Sequence, residues 1–171
     1  MKDKWDLRFK NLALEVSGWS KDPSKKIGCI AVKDRRVIAT GYNGYPIGIP
    51  DDDLEDRETK YTKMVHAEQN MIYNACRHGV SLVGATVYVT GLPVCGECWK
   101  GLVQCGVTRV VMPNIETVAD RWLASCTTGK DMLEHAGIEV CQYNPYELNR
   151  PDENHGNPYA KIQMPGVTVE G

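Results

Sequence analysis

The chain has 171 residues, a net charge of −2 and seven cysteines. That length fits one domain with a real core, and the near-balanced charge offers no electrostatic grip on a long polyanion, so a polynucleotide partner is not expected. No stretch approaches the roughly 20 apolar residues of a membrane span. Met1-Lys2-Asp3-Lys4-Trp5 lacks the apolar run of a secretory signal, and an odd, scattered cysteine set points to a reducing, cytoplasmic setting.

In chain order, Trp5, Phe9, Leu12, Val16 and Trp19 fall at helical spacing and predict an amphipathic helix from residue 4 to about 19. Ser20-Lys21-Asp22-Pro23-Ser24-Lys25-Lys26 is a polar loop, closed to helix by Pro23. Two β-branched runs, Ile27 to Val32 and Val37 to Gly41, flank Lys33-Asp34-Arg35-Arg36 and predict a hairpin. The second run ends in Gly41-Tyr42-Asn43-Gly44-Tyr45-Pro46, where flanking glycines permit unusual backbone angles and let the Asn43 amide stand clear, or else form a plain tight turn. Residues 51 to 63 read as a long polar loop, of the kind that is usually functional or disordered.

A helix is predicted over residues 65–78, with Met71, Ile72 and Ala75 inward and Gly79 as its stop. A short strand from Val87 to Thr90, a helix from Gly96 to about Cys105, and strands at Arg109 to Met112 and Ile138 to Cys141 follow. Between the last two lies a helix over roughly 118–136, with a weak point at Thr127-Thr128-Gly129. The order α-β-β-α-β-α-β-α-β gives a three-layer α/β/α sandwich with a mixed five-stranded sheet over residues 1–141. Residues 142–171 read as a polar, Pro/Gly-containing tail. Cys29, Cys76, Cys105, Cys126 and Cys141 are expected to serve as small core hydrophobes.

The chemistry concentrates in residues 66–98. His66, Cys95 and Cys98 supply one imidazole and two thiolates at the starts of two helices, a suitable set for Zn2+. A fourth position left without a protein ligand is the mark of a catalytic site. Glu68 follows His66 by two residues and can face the metal without binding it. Alone, Cys-x-x-Cys is equally a redox pair or a structural knuckle. The combination H-x-E…P-C-x-x-C is the signature of the zinc-dependent nucleobase deaminases. This chain resembles it with one departure, Val94 between Pro93 and Cys95. On this reading the metal acidifies a water and Glu68 shuttles its protons, so that C–NH2 becomes C=O and ammonia is released.

Four strings in order extend the likeness: Ser17-Gly18-Trp19-Ser20-Lys21-Asp22-Pro23, Gly41-Tyr42-Asn43-Gly44-Tyr45-Pro46, His66-Ala67-Glu68-Gln69-Asn70 and Leu102-Val103-Gln104-Cys105-Gly106-Val107. Over roughly residues 5–141 the chain resembles the deoxycytidylate (dCMP) deaminases. The resemblance implies a cytidine-deaminase-like fold, conversion of dCMP to dUMP, a homo-oligomer (commonly a hexamer), and control by dCTP as activator and dTTP as inhibitor, with Mg2+ accompanying a regulatory triphosphate. It implies His66, Cys95 and Cys98 as ligands and Glu68 as acid/base. Substrate contacts would come from Asn43, Ala67, Lys21 and Ser24 of the polar loop, and Arg77. Trp122 would stand in for a tyrosine that relatives carry after the fourth strand, a core position being its other reading. Gly41, Tyr42, Asn43 and Gly44 would belong to an effector site, and Asp51, Asp52 and Asp53 would help hold its cation or remain solvated. Alternatives are another cytosine nucleotide (dCTP) or a nucleoside as substrate, a pterin or riboflavin precursor, and a non-catalytic zinc module.

Overall fold

The β-branched runs become strands whose alternating side chains sort into two cores. The computed structural model describes residues 4–149. The elements are α1 (Lys4–Ser17), β1 (Gly28–Lys33), β2 (Arg36–Tyr42), α2 (Arg57–Lys63), α3 (Ala67–Arg77), β3 (Thr86–Thr90), α4 (Cys98–Gln104), β4 (Arg109–Pro113), α5 (Asp120–His135) and β5 (Glu139–Tyr143). Single 3-10 turns lie at Ile115–Thr117 and Pro145–Asn149. The sheet order is β2-β1-β3-β4-β5, with β1 antiparallel to both neighbours and β3, β4 and β5 parallel. The expected mixed sheet is therefore present.

Cys29, Ala31, Val87, Val89, Val110 and Met112 face one core with residues of α3, α4 and α5. Ile30, Val32, Tyr88 and Val111 face the other with Phe9, Ala13 and Val16 of α1. This two-residue alternation across three strands makes the sheet the middle layer of a sandwich. The hairpin turn at Asp34 and Arg35 has φ of 50° and 61°, the left-handed pair that a two-residue turn needs to match strand twist. The Arg35 guanidinium lies over the Trp5 ring, 5.0 Å from its centre.

Several expectations change. In α1 the buried stripe runs through Phe9, Ala13 and Val16, while Leu12 and Trp19 are exposed. The supposed loop 51–63 contains α2, started by Asp56, whose carboxylate accepts from Glu58 N. Helix α5 is unbroken through Thr127-Thr128-Gly129. A Cβ on Gly129 would sit 2.4 Å from Val94 O, so this glycine allows close packing instead of marking a break. Of the five cysteines read as core, Cys29 and Cys126 are buried and Cys76 is exposed on α3. Strand β5 runs on to Tyr143, and Tyr143 and Leu148 are both buried against α1. The remainder of the expected tail, residues 150–171, lies outside the described residues. Among the described residues no helix is long and apolar enough to cross a membrane.

One polar network ties α1 to the sheet. Arg109 donates from both terminal nitrogens to the two Asp6 oxygens at 2.8 Å each, and Tyr88 Oη donates to Asp6 at 2.7 Å. The Arg109 contact holds the Asp6 carboxyl below its ordinary range despite burial. A carboxyl depressed in the folded state contributes stability above its unfolded pKa of about 4, lost as pH falls through the lower folded value. Asp6→Asn should therefore cost about 1–2 kcal/mol near pH 7. Urea unfolding midpoints of the two proteins should converge below about pH 4.

Candidate active site

Helix α3 begins where β2 ends, and three features fix it there. Asn70 and Asn74, one helical turn apart, donate to Tyr42 O at 2.7 Å and Thr40 O at 2.8 Å. Four helical residues rise about 6 Å and two strand residues about 6.6 Å, so the two repeats match. Between these bonds, a Cβ on Gly41 would lie 2.3 Å from both Ala67 O and Met71 N. Only glycine permits that approach. The Gly44–Val65 bridge then sets the chain entering the helix. His66 caps α3, and its N–H donates to Gln69 Oε1 at 3.2 Å.

The second segment is fixed by α5. Ser125 Oγ accepts from Gly96 N at 3.0 Å, Gly129 packs on the Val94 and Cys95 carbonyls, and Cys98 N donates to Cys95 O at 3.2 Å. Val94, the residue that departs from the signature, is fully buried in the main core. The irregularity is absorbed by packing, and the Cys95–Cys98 spacing is left intact.

These supports bring the three expected ligands together. His66 Nδ1 is 3.3 Å from Cys98 Sγ and 3.4 Å from Cys95 Sγ, and the two sulfurs are 3.5 Å apart. Both cysteines are free thiols. Tetrahedral zinc with bonds of about 2.0–2.3 Å places such atoms about 3.5–3.8 Å apart, so the set fits the ion. Among the described residues it is the one group of three or more ligating side chains within 4.8 Å of one another.

Charge at the site follows from these contacts. The Cys98 hydrogen bond, helped by His66, holds the Cys95 thiol down to about 3, and the same contact pushes the Cys98 thiol up. The His66 imidazole is raised by its bond to Cys95. Zinc takes both sulfurs as thiolates, so its binding releases thiol protons. Glu68 is 4 % exposed and interacts with the Cys98 thiol while standing outside the three-ligand set. Burial pushes its carboxyl up to about 7.

The other candidate residues are placed differently. The Asn43 amide does not stand clear. It accepts from Ile27 N at 2.8 Å and donates to Lys25 O at 2.9 Å and Asp22 Oδ2 at 3.2 Å, locking the polar loop to the end of β2. Gly41 and Gly44 are not among the glycines with positive φ, and Gly41 serves helix packing. Ala67 is fully buried at the β2 contact. Lys21 is exposed and pairs with Asp51 at 2.7 Å. Asp53 pairs with Lys63, so the three aspartates do not converge on a common cation. Arg77 lies at the far end of α3, about 16 Å along the axis from His66, and is exposed, so one chain does not bring it to the site. Trp122 is half-buried and outside both cores, with the Arg121 guanidinium over its ring.

Sequence reading missed Lys60. It is 4 % exposed and donates to Asp22 at 3.0 Å and to Ser24 Oγ at 2.8 Å. It also missed Asn70, Asn74, Ser125 and Arg121. The asparagine spacing of one turn beside a ligand was the available signal for the first two.

Comparison with known proteins agrees with this geometry. Residues 3–113 match the family described as the cytidine and deoxycytidylate deaminase zinc-binding region. An uncharacterised deaminase of Aliivibrio fischeri is 39% identical, covering 82% of this chain and 94% of its own. The human deoxycytidylate deaminase is 30% identical, covering 83% and 81%. The crystal structure of dCMP deaminase from cyanophage S-TIM5 in complex with dCMP and dUMP superposes with a TM-score of 0.68 at 27% identity, covering 84% of this chain and 99% of that one. The fold and the His/Cys/Cys centre are those of a zinc-dependent deaminase. The chain belongs to the cytidine and deoxycytidylate deaminase family.

The full chain should carry one zinc. Cys98→Ala should weaken zinc binding by at least about 100-fold and lower the unfolding temperature, since an ion held only by the folded chain stabilises it. Elemental analysis after gel filtration, with a thermal melt, reads both.

Proposed function

We propose that this chain hydrolyses dCMP to dUMP and ammonia. The observation that carries the reading is the buried Glu68 carboxyl set beside, but not within, the His66/Cys95/Cys98 triangle. A structural zinc knuckle has no use for such a group. Zinc held by His66 Nδ1 and the two thiolates would supply a Lewis acid that makes water reactive at neutral pH. Glu68 takes the proton of the attacking water and delivers it to the ring nitrogen beside the amino-bearing carbon. It then takes the remaining hydroxyl proton from that carbon and gives it to the departing amine, so C–NH2 becomes C=O, water is consumed and ammonia released. Burial keeps bulk water from competing for these transfers. The deoxycytidylate deaminases among the relatives and the dCMP and dUMP of the phage structure favour dCMP over a free nucleoside.

The enzyme is proposed to be a cytoplasmic homohexamer under nucleotide control. A cavity of about 140 Å³ supports an effector site: Tyr42 and Gly44 line it with Trp19, Lys21, Asp51 and Leu54. It joins the end of β2 to the segment that leads towards α3, so a bound triphosphate with Mg2+ has a short route to His66 and Glu68. A nucleotide acts there only by favouring one conformation over another.

Ammonia release should be fastest with dCMP when dCMP, deoxycytidine and dCTP are compared. Glu68→Gln should keep its zinc and fold and lose about 10²–10⁴ in kcat. Full activity in that variant would sink the proposed role of Glu68. For regulation, dTTP should inhibit, dCTP with Mg2+ should relieve the inhibition, and the dCMP rate curve should be sigmoidal without dCTP. Hyperbolic kinetics indifferent to both triphosphates would remove the effector site while leaving the deaminase.

A further inference from the structure

A cavity of about 270 Å³ opens between the polar loop after α1, α2 and the first turn of α5. Pro23, Ser24, Leu54, Arg57, Lys60 and Arg121 line it, with Glu55 as its one carboxylate. The Lys60 charge is already matched by Asp22. Arg57 and Arg121 are not: among the described residues neither has an ion-pair partner, and each rests over an aromatic ring, Tyr61 at 5.5 Å and Trp122 at 5.7 Å. Two guanidinium groups from chain segments 64 residues apart (121 − 57) thus meet at one opening. Ser24 Oγ accepts from Lys60, and its own proton has no acceptor among the described residues. Such a wall suits a dianion that takes forked N–H donors.

The cavity also lies at the catalytic end of the molecule. Ser125, one turn beyond Arg121 and about 6 Å along α5, holds the Gly96 amide in the loop between Cys95 and Cys98. Lys60 is on the helix that leads through Met64 and Val65 to His66. We infer that this cavity takes the 5′-phosphate of the nucleotide substrate, with Arg57 and Arg121 as the groups that select a nucleotide over a nucleoside. The inference rests on the dCMP reading and puts Arg57 and Arg121 in place of Lys21 and Arg77, the cations that the sequence offered as substrate contacts. Lys60 and Asp22 hold the loop carrying Ser24 in place and are positioning residues.

The test uses the zinc-loaded full chain and the variants Arg57→Ala, Arg121→Ala and Arg121→Lys. Each alanine variant should raise KM for dCMP at least tenfold and leave deoxycytidine turnover within twofold, with zinc content and melting unchanged. Arg121→Lys should recover part of the loss, because it restores charge but not the fork. Separately, binding of deoxyribose 5-phosphate, which has no base to deaminate, is measured by calorimetry. It should bind the wild type and be lost in both alanine variants. If dCMP is turned over but the variants lose dCMP and deoxycytidine equally, or lose neither, the phosphate assignment falls and the deaminase stands. If dCMP is not turned over, the substrate reading falls. Loss of the sugar phosphate in the variants would then still uphold the cavity as a phosphate site, and its failure to bind the wild type would remove that too.

Discussion

Everything at the catalytic end depends on one geometric demand. Two backbone segments, separated by a strand and a helix, must deliver three ligand atoms to within 4.8 Å of each other. Side chains of fixed length can meet that closely only if the main chains behind them are also close. Hence two close backbone approaches serve those two segments: Gly41 lets α3 lie on β2, and Gly129 lets α5 lie on the carbonyls of Val94 and Cys95. Asn70, Asn74 and Ser125 then remove the remaining freedom to slide, since each spends a side-chain hydrogen bond on a backbone group of the neighbouring element. An unsupported metal site would need the ion to hold the fold together. Here much of the convergence is already present in the packing.

The legible part of this protein is its local part. His66, Glu68, Cys95 and Cys98 could be read because their chemistry depends on separations of two and three residues, which a helix start converts directly into proximity. The strands could be read because alternation is a property of a few consecutive residues. Helix α2 could not: its buried face is Lys60, a residue that looks solvated until the partner 38 positions away is known. Asn43 failed for the same reason, as the three groups it binds lie 16 to 21 residues back along the chain. Gly129 misled in the opposite sense. Its low helix propensity was visible, and the neighbouring carbonyl that required it was not.

On the proposed assignments, substrate phosphate and effector would share a wall. Leu54 lines both cavities, while Asp22 lines one and its neighbours Pro23 and Ser24 line the other. The two cavities differ in charge for a definite reason. Lys21 is matched by Asp51 in the smaller one, whereas the guanidinium groups of the larger one remain available. A movement of the Asp22 loop would be felt on both sides, which is the physical content of coupling between sites.

The pair between Lys60 and Asp22 also constrains how this chain can diverge. Its side chains are 5% and 8% exposed. Removing one partner of such a pair strands a buried charge, at about 3–5 kcal/mol, whereas exchanging both for well-packed apolar residues is often neutral or favourable. The intermediate is far worse than either end. Codon changes arrive one at a time, so a lineage holding this pair is separated from the apolar alternative by a valley that only an unusually stable background can cross. The lysine and aspartate should therefore persist or vanish together among descendants of this chain, even where the loops around them drift freely.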